Sequence, residues 1–185
     1  MLVDVKGYEG KGISICPNGT LGDHVEIGGL LIVLPKAPRI KDILFHNLPV
    51  DDQRWGRSDI PKELSRIRSM DEWAETPREF REKFRPYVEE EFRRRREGVW
   101  FYNRGDATYV TGRHYMMLQW AQLDIGAPYY LDFQRDIFLH LAACEADPRC
   151  IGQLYTKCRR SGYTNICSSV IADEFSLSAT NSILL

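Results

Sequence analysis

The chain has 185 residues, a formal net charge of −1 and a hydrophobic content of 43%, which are ordinary values for a globular protein. The near-zero charge gives no overall attraction to nucleic acid, so any contact with DNA has to come from a local patch. No apolar run approaches the roughly 20 residues of a membrane span, no secretory leader is visible, and we expect no membrane association. The 5 cysteines contain no Cys-x-x-Cys pair, which predicts reduced thiols in a cytosol, not disulfides or a zinc site.

Residues 1–50 are predicted to be a β-rich N-terminal segment. Asn18-Gly19 favours a hairpin turn, and Pro35 ends the last candidate strand. The candidate strands are residues 12–16, 21–27 and 30–34. We find no site chemistry in this segment, because His24 and His46 have no partners at metal-ligand spacing.

Residues 51–98 are predicted to be a charged helical region. Thr76-Pro77-Arg78-Glu79 has the pattern of a capping box with proline at the first helical position, and residues 69–72 repeat the box signal. Pro86 is expected to break the helical pattern, and a second helix is expected to be closed by Gly98.

This region also contains a block of opposite charges. Glutamates occupy positions 89–91 and arginines occupy positions 93–96. Each glutamate lies four residues before an arginine, which is the favourable order for helical ion pairs worth a few tenths of a kcal/mol each. Two interpretations stay open at this point. The block is either a solvated helix face that neutralises itself, or an arginine cluster that faces DNA or a partner.

Residues 99–112 are predicted to form an aromatic hairpin around the turn Asn103-Arg104-Gly105-Asp106. A short apolar helix is expected over residues 114–123. The following helix is predicted over residues 131–146, with Asp132 as its cap.

The stretch from 151 to 164 is the most informative part of the chain. Residues 151–156 have the composition of a short buried strand. Residues 157–164, K-C-R-R-S-G-Y-T, follow the frame of a phosphate-binding loop, G-x-x-x-x-G-K-[S/T], with two substitutions. Apolar residues recur at helical spacing from Asn165 onward. A strand, a loop and a helix in this order would bring phosphate to backbone N–H groups at a helix N-terminus.

Gly162 and Thr164 keep their places in this frame. Gly162 is predicted to take a positive φ and to let the backbone approach a phosphate closely. The Thr164 hydroxyl is placed to ligate Mg²⁺. Lys157 stands where the first glycine should be, and Tyr163 replaces the usual lysine.

The missing lysine has to be replaced by another cation, because Tyr163 cannot neutralise phosphate charge. We expect Lys157 to reach in from the other end of the loop, with Arg159 or Arg160 assisting. The alternative is a basic surface turn before an ordinary helix, since a motif with two departures is weak evidence on its own.

Gln134 adds a second feature of a nucleotide site. It lies on the predicted helix that leads into the strand and loop. A glutamine amide can donate to N7 of adenine and accept from its N6 amino group, a bidentate pairing that suits this base. Together with a phosphate loop, Gln134 therefore predicts ATP as the ligand.

Three stretches together resemble the N-terminal ATPase of phage large terminase subunits, the motors that package double-stranded DNA into procapsids. They are G-V-W-F-Y-N-R-G-D-A-T-Y-V-T-G-R-H-Y, then Y-Y-L-D-F-Q-R-D, then K-C-R-R-S-G-Y-T. The resemblance is clearest over residues 98–175 and weaker over 35–97. It implies an α/β fold in which residues 99–185 begin a P-loop NTPase domain, a parallel sheet with flanking helices, with ATP and Mg²⁺ as cofactors.

The resemblance also implies roles for individual residues. Lys157 and Arg160 would be catalytic, and Thr164 would hold Mg²⁺ through the bound ATP. The residues implied in nucleotide binding are Gln134, Lys157, Arg159, Arg160, Ser161, Gly162, Tyr163 and Thr164. The implied partners are double-stranded DNA, a portal protein, a small terminase subunit and further copies of the chain in a ring, all in the host cytoplasm.

The chain departs from this family in having no Walker B strand, and Asp173-Glu174 lies inside the predicted last helix. We therefore expect an N-terminal part of the ATPase that hydrolyses little ATP alone, with a last helix that lacks the sheet to cover its apolar face. Two alternatives stay open. One is a fragment of another P-loop ATPase with a Q motif, such as a helicase, and the other is a non-enzymatic assembly protein with a vestigial loop.

Overall fold

The computed structural model describes residues 1–8, 10–16, 19–43, 45–48, 54–56, 60–67, 70–123, 126–157, 159 and 162–177. Over these residues the chain is a mixed α/β structure with a four-stranded sheet, a three-stranded sheet and five α-helices. The α/β class is therefore confirmed. Within the same residues, no helix combines the length and the apolar composition needed to cross a membrane.

The first sheet contains β1 (Leu2–Asp4), β2 (Lys11–Ser14), β3 (Leu21–Ile27) and β4 (Leu30–Pro35), in the order β1-β2-β4-β3. The three predicted strands are confirmed, but the predicted hairpin at Asn18-Gly19 is wrong. β2 pairs with β1 and, in parallel, with β4, whereas β3 pairs with β4. The tight turn is Gly28-Gly29, whose φ angles of 59° and 78° suit a two-residue hairpin. Asn18 itself lies outside the described residues.

Two helices, α1 (Met70–Glu75) and α2 (Arg78–Glu97), make up the charged region. The break predicted at Pro86 is wrong, because α2 continues through it. Proline removes one backbone hydrogen bond, but the helix is held by packing along its length, and Pro86 lies on its exposed side. Gly98 closes α2 as predicted, with a φ of 79° and its N–H bonded to the Arg94 carbonyl at 2.8 Å.

Two predicted N-caps are not formed. The Thr76 hydroxyl donates to the Trp73 carbonyl at 2.7 Å, so it serves the end of α1 and not the start of α2. Asp132 is the first residue of its helix, and the cap position is held by Leu131 without a side-chain bond. Ser69, in the other predicted box, lies outside the described residues. Local sequence signals therefore indicated the helices correctly but misplaced the groups that begin them.

The second sheet contains β5 (Phe45–Leu48), β6 (Val99–Asn103) and β7 (Asp106–Val110), in the order β5-β6-β7. β6 and β7 form the predicted antiparallel hairpin. Its turn residues, Arg104 and Gly105, have positive φ angles of 51° and 109°, as a tight hairpin turn requires. β5 joins the other side of β6 in parallel.

Three further helices follow, α3 (Gly112–Trp120), α4 (Asp132–Ala146) and α5 (Tyr163–Leu177). All three were predicted. The last helix was expected to lack a sheet over its apolar face; among the described residues α3 packs against it and buries Ile166 to 2% exposure. Phe175, nearer the end of α5, remains 69% exposed.

The strand predicted over residues 151–156 is not formed. The described residues 151–157 have no regular secondary structure, and Ile151 and Leu154 are exposed to 105% and 96% of their reference surface. A strand needs a neighbour to bond its N–H and C=O groups, and no described strand pairs with this segment. The sheets that do form are small and of mixed direction.

Two hydrophobic clusters meet on α4. Leu139 and Ala143 pack with the first sheet, against residues such as Ile32. Phe138 packs in the second cluster, with β6 and β7 and with α3. The contacts therefore cross the predicted segment boundaries at residues 50 and 98. Because α4 is buried on two sides, its first turn is a rigid support for Gln134.

Candidate functional site

The N-terminus of α5 is built on Gly162. Gly162 has a φ of 73°, in the left-handed region that the motif predicts for it. Its carbonyl accepts from the N–H groups of Asn165 at 3.0 Å and Ile166 at 3.3 Å, so α5 begins directly after it. The first N–H groups of a helix have no partner within the helix and carry the positive end of its dipole. This helix start can therefore receive an anion.

Gln134 lies beside this helix start. Its side chain is in the first turn of α4, is 9% exposed, and carries a buried Oε1 that has no hydrogen-bond partner among the described residues. A Cβ placed on Gly162 would lie 3.9 Å from the Gln134 Nε2. The structure therefore brings together the two residues that the sequence analysis assigned to separate halves of a nucleotide site.

The predicted cations and the magnesium ligand are accessible. Lys157, Arg159 and Thr164 are all exposed. In the described part of the chain, neither Lys157 nor Arg159 has a hydrogen-bond or ion-pair partner, so their charges are available to a ligand. Arg160 and Ser161, which were also assigned to the nucleotide, lie outside the described residues.

Tyr163 has a contact that the motif did not predict. Its ring stacks on Tyr155, with centroids 5.0 Å apart and planes inclined by 8°. Burial, together with the neighbouring Cys167, raises the pKa of Tyr163 above its ordinary value. Tyr163 is therefore a neutral phenol at pH 7.

A cavity of about 300 Å³ lies on the other side of the first turn of α4. Its walls include Phe133, His140 and Tyr155, and the amide of Gln153 donates to His140 Nδ1 at 2.8 Å. Gln134 is not among the residues that line it. The Gln134 amide therefore lies against the loop glycine and not inside this cavity.

The arginine block is mostly paired with carboxylates. Arg93 bonds Glu90 and Glu97, and Arg94 bonds Glu90 and Glu91. The hydrogen bond from Arg93 lowers the pKa of Glu90 below its ordinary value. The Arg94 side chain is packed, with 11% exposure, whereas that of Arg93 is 49% exposed. The block therefore neutralises much of its own charge, as the first interpretation expected, but part of it is packed inside the protein and not solvated.

Arg95 joins α2 to α5. Its guanidinium bonds Asp173 Oδ1 at 2.7 and 3.1 Å and also donates to the Ser176 hydroxyl. The next acidic residue, Glu174, accepts from Arg113 of α3. Asp173 and Glu174 therefore anchor the helix that begins at Gly162, and they are not placed as a catalytic acidic pair. Sequence analysis had no signal for these pairs, because their partners are far apart in the chain.

Compared with protein-family models, with curated proteins and with solved structures, the chain gives no significant match in any of the three. Among the described residues, no group of three or more His, Cys, Asp or Glu side chains could hold a metal ion. The chemistry of the site therefore has to be argued from Gln134, the helix start and the exposed cations. These are donors and charges that suit a phosphorylated ligand.

Proposed function

We propose that this chain is the nucleotide-binding part of a phage large terminase ATPase. In this proposal ATP with Mg²⁺ binds where the 157–164 loop meets α5 and Gln134. The observation that carries it is the buried, unpartnered Oε1 of Gln134 beside Gly162. An unsatisfied buried acceptor costs about 1–3 kcal/mol, and a ligand group that donates to it would recover that cost.

Each residue has a part in holding the nucleotide. The helix start after Gly162 offers N–H groups to the phosphates. Lys157 and Arg159 neutralise phosphate charge, with Arg160 as a further cation. Thr164, exposed in the first turn of α5, offers its hydroxyl to Mg²⁺. When bound, ATP supplies the phosphoanhydride that is broken, and the metal neutralises charge on it.

The first test of the site is equilibrium binding of ATP and GTP, each with Mg²⁺. Lys157→Ala should weaken both nucleotides alike, because both carry the same triphosphate. The matched control is Lys83→Ala, since Lys83 is an exposed lysine on α2 that pairs with Glu63 at 3.3 Å. A loss no larger than that of the control would show that the loop has been aligned wrongly. Failure of the wild type to bind either nucleotide would favour an assembly protein with a vestigial loop.

The second test separates base recognition from phosphate binding. Gln134→Ala should weaken ATP about tenfold or more relative to GTP, since a good bidentate base contact is worth about 1–3 kcal/mol of discrimination. Guanine presents O6 in place of the N6 amino group, so the glutamine acceptor gains nothing from it. An equal loss of affinity for ATP and GTP would mean that Gln134 supports the phosphate-binding loop and does not contact the base. Its position beside Gly162 would allow that role.

The finer fold and the partners belong to the same proposal. The exposed Ile151 and Leu154 side chains support a strand at residues 151–156 that forms once further parallel strands pair with it. The partners would be double-stranded DNA, a portal protein, a small terminase subunit and other copies of the chain in a ring, within the host cytoplasm. In a reconstituted packaging assay with the intact motor, Lys157→Ala should abolish ATP-driven packaging and Tyr163→Ala should reduce it much less.

A further inference from the structure

Two tyrosines lie at the two ends of residues 156–162. Tyr155 precedes this segment and Tyr163 is the first residue of α5. Their rings are nearly parallel, 8° apart in plane with centroids at 5.0 Å. Stacked and edge-to-face aromatic pairs at this separation are attractive beyond the area they bury. The stack therefore holds Tyr155 against the first residue of α5.

Both rings are supported by the protein core. Tyr155 and Tyr163 are half-buried and pack against the cluster that contains Phe138 and Ile166. The backbone around Tyr155 has no strand to hold it, since residues 151–157 are not in a sheet. The Gln153–His140 hydrogen bond and the packing of the Tyr155 ring hold this segment against the rest of the chain. Both ends of the loop are therefore attached to the core through side chains.

We propose that Tyr155 and Tyr163 form a clasp that holds the backbone just before Lys157 against the start of α5 before a nucleotide binds, and that Tyr163 is a positioning residue in the place of the usual lysine. The ordering needs no nucleotide, whereas the benefit for binding rests on the function proposed above. A loop with joined ends has fewer conformations to lose, so less free energy is spent on ordering when phosphate binds. The ring stack carries this effect, and the phenol hydroxyl is not required for it.

The first arm of the test measures amide hydrogen exchange without nucleotide. Tyr155→Ala and Tyr163→Ala should each speed exchange at the Asn165 and Ile166 amides, which donate to the Gly162 carbonyl, while Tyr163→Phe should keep the wild-type rate because its ring still stacks. Exchange in α2 should stay unchanged, which separates loss of the clasp from unfolding. Tyr8→Ala is the matched control, since the Tyr8 ring contacts the ring of His24 on β3, with centroids 4.7 Å apart. Unchanged exchange in the two alanine variants would overturn the clasp.

The second arm measures binding of ATP and GTP to the same proteins. Each alanine variant should weaken both nucleotides by about 2- to 10-fold, the range expected for one aromatic pair. The double variant, with both tyrosines replaced by alanine, should bind each nucleotide no more weakly than the single variant of lower affinity. The reason is that either substitution alone already removes the ring stack. Wild-type affinity in the alanine variants would overturn the positioning role and leave the proposed function intact. If the wild type binds neither nucleotide, the proposed function fails, and the exchange arm alone decides whether the clasp exists.

Discussion

The ion pair between Arg95 and Asp173 should be a major source of stability for the last helix. The Asp173 side chain is 2% exposed and that of Arg95 13%, so both charges are largely removed from water. Replacing one member of a buried pair leaves the other charge without compensation, which destabilises proteins by about 3–5 kcal/mol. For Asp173→Ala we expect about 3 kcal/mol, the lower end. The reason is that Arg95 keeps some exposure and its bond to Ser176.

This loss can be measured by urea unfolding followed by circular dichroism, with the free energy of unfolding extrapolated to water. The matched control is Glu82→Ala, which breaks the Arg78–Glu82 pair on the same helix, where the side chains are 85% and 50% exposed. A surface pair of this kind is worth about 0.3–0.5 kcal/mol. If Asp173→Ala destabilises the protein no more than Glu82→Ala, the pair does not anchor α5.

A double variant distinguishes charge burial from lost packing. Arg95→Met with Asp173→Leu removes both charges and keeps apolar volume between α2 and α5. It should recover much of the stability lost by Asp173→Ala, because well-packed apolar residues replace buried ion pairs at little cost. A double variant less stable than Asp173→Ala would show that the pair matters through its specific geometry.

Two further predictions concern α3. Complete burial, assisted by Arg135, lowers the pKa of His114 to about 3 from an ordinary 6.5, so only the unfolded chain takes up a proton between these values. Stability should be full above pH 6.5 and fall by about 2 kcal/mol from pH 7 to pH 5, and His114→Phe should remove that slope in urea midpoints measured across this range. Gly112→Ala should destabilise by about 3 kcal/mol, the top of the overpacking range, because its Cβ would lie 1.8 Å from the Arg95 carbonyl oxygen. Gly152→Ala, where a Cβ meets nothing within 4 Å, is the control and should change the free energy of unfolding by less than about 0.5 kcal/mol.

Features of the fold that depend on neighbouring residues were predictable from the sequence. The β6–β7 hairpin follows from its turn, in which two residues have a positive φ. Gly105 adopts this conformation with little strain, so Arg104 is the one residue with a side chain that has to adopt it. Gly98 ends α2 for the same reason. Gly162 was assigned its left-handed backbone from the loop motif alone, and the structure has it. In each case one residue type is required by the local backbone.

Features that depend on distant residues were not predictable in this way. Residues 151–156 have the composition of a strand, but a strand also requires a neighbour, which composition does not report. Thr76 fits the pattern of an N-cap for α2, but its hydroxyl donates to the Trp73 carbonyl at the end of α1. The Tyr155–Tyr163 stack had a weak signal, two tyrosines at the ends of the loop, that acquires meaning only when the chain folds back on itself.

The two groups of positive charge differ in what surrounds them. In the arginine block, Arg94 and Arg95 are already compensated by buried or half-buried carboxylates, so phosphate would have to displace a partner from each. Lys157 and Arg159 have no such partner among the described residues and precede the start of α5 in the chain. An anion there meets uncompensated charge and unpaired N–H groups at once. The same sequence therefore uses one basic group to fix α5 in place and leaves the other available at the end of that helix.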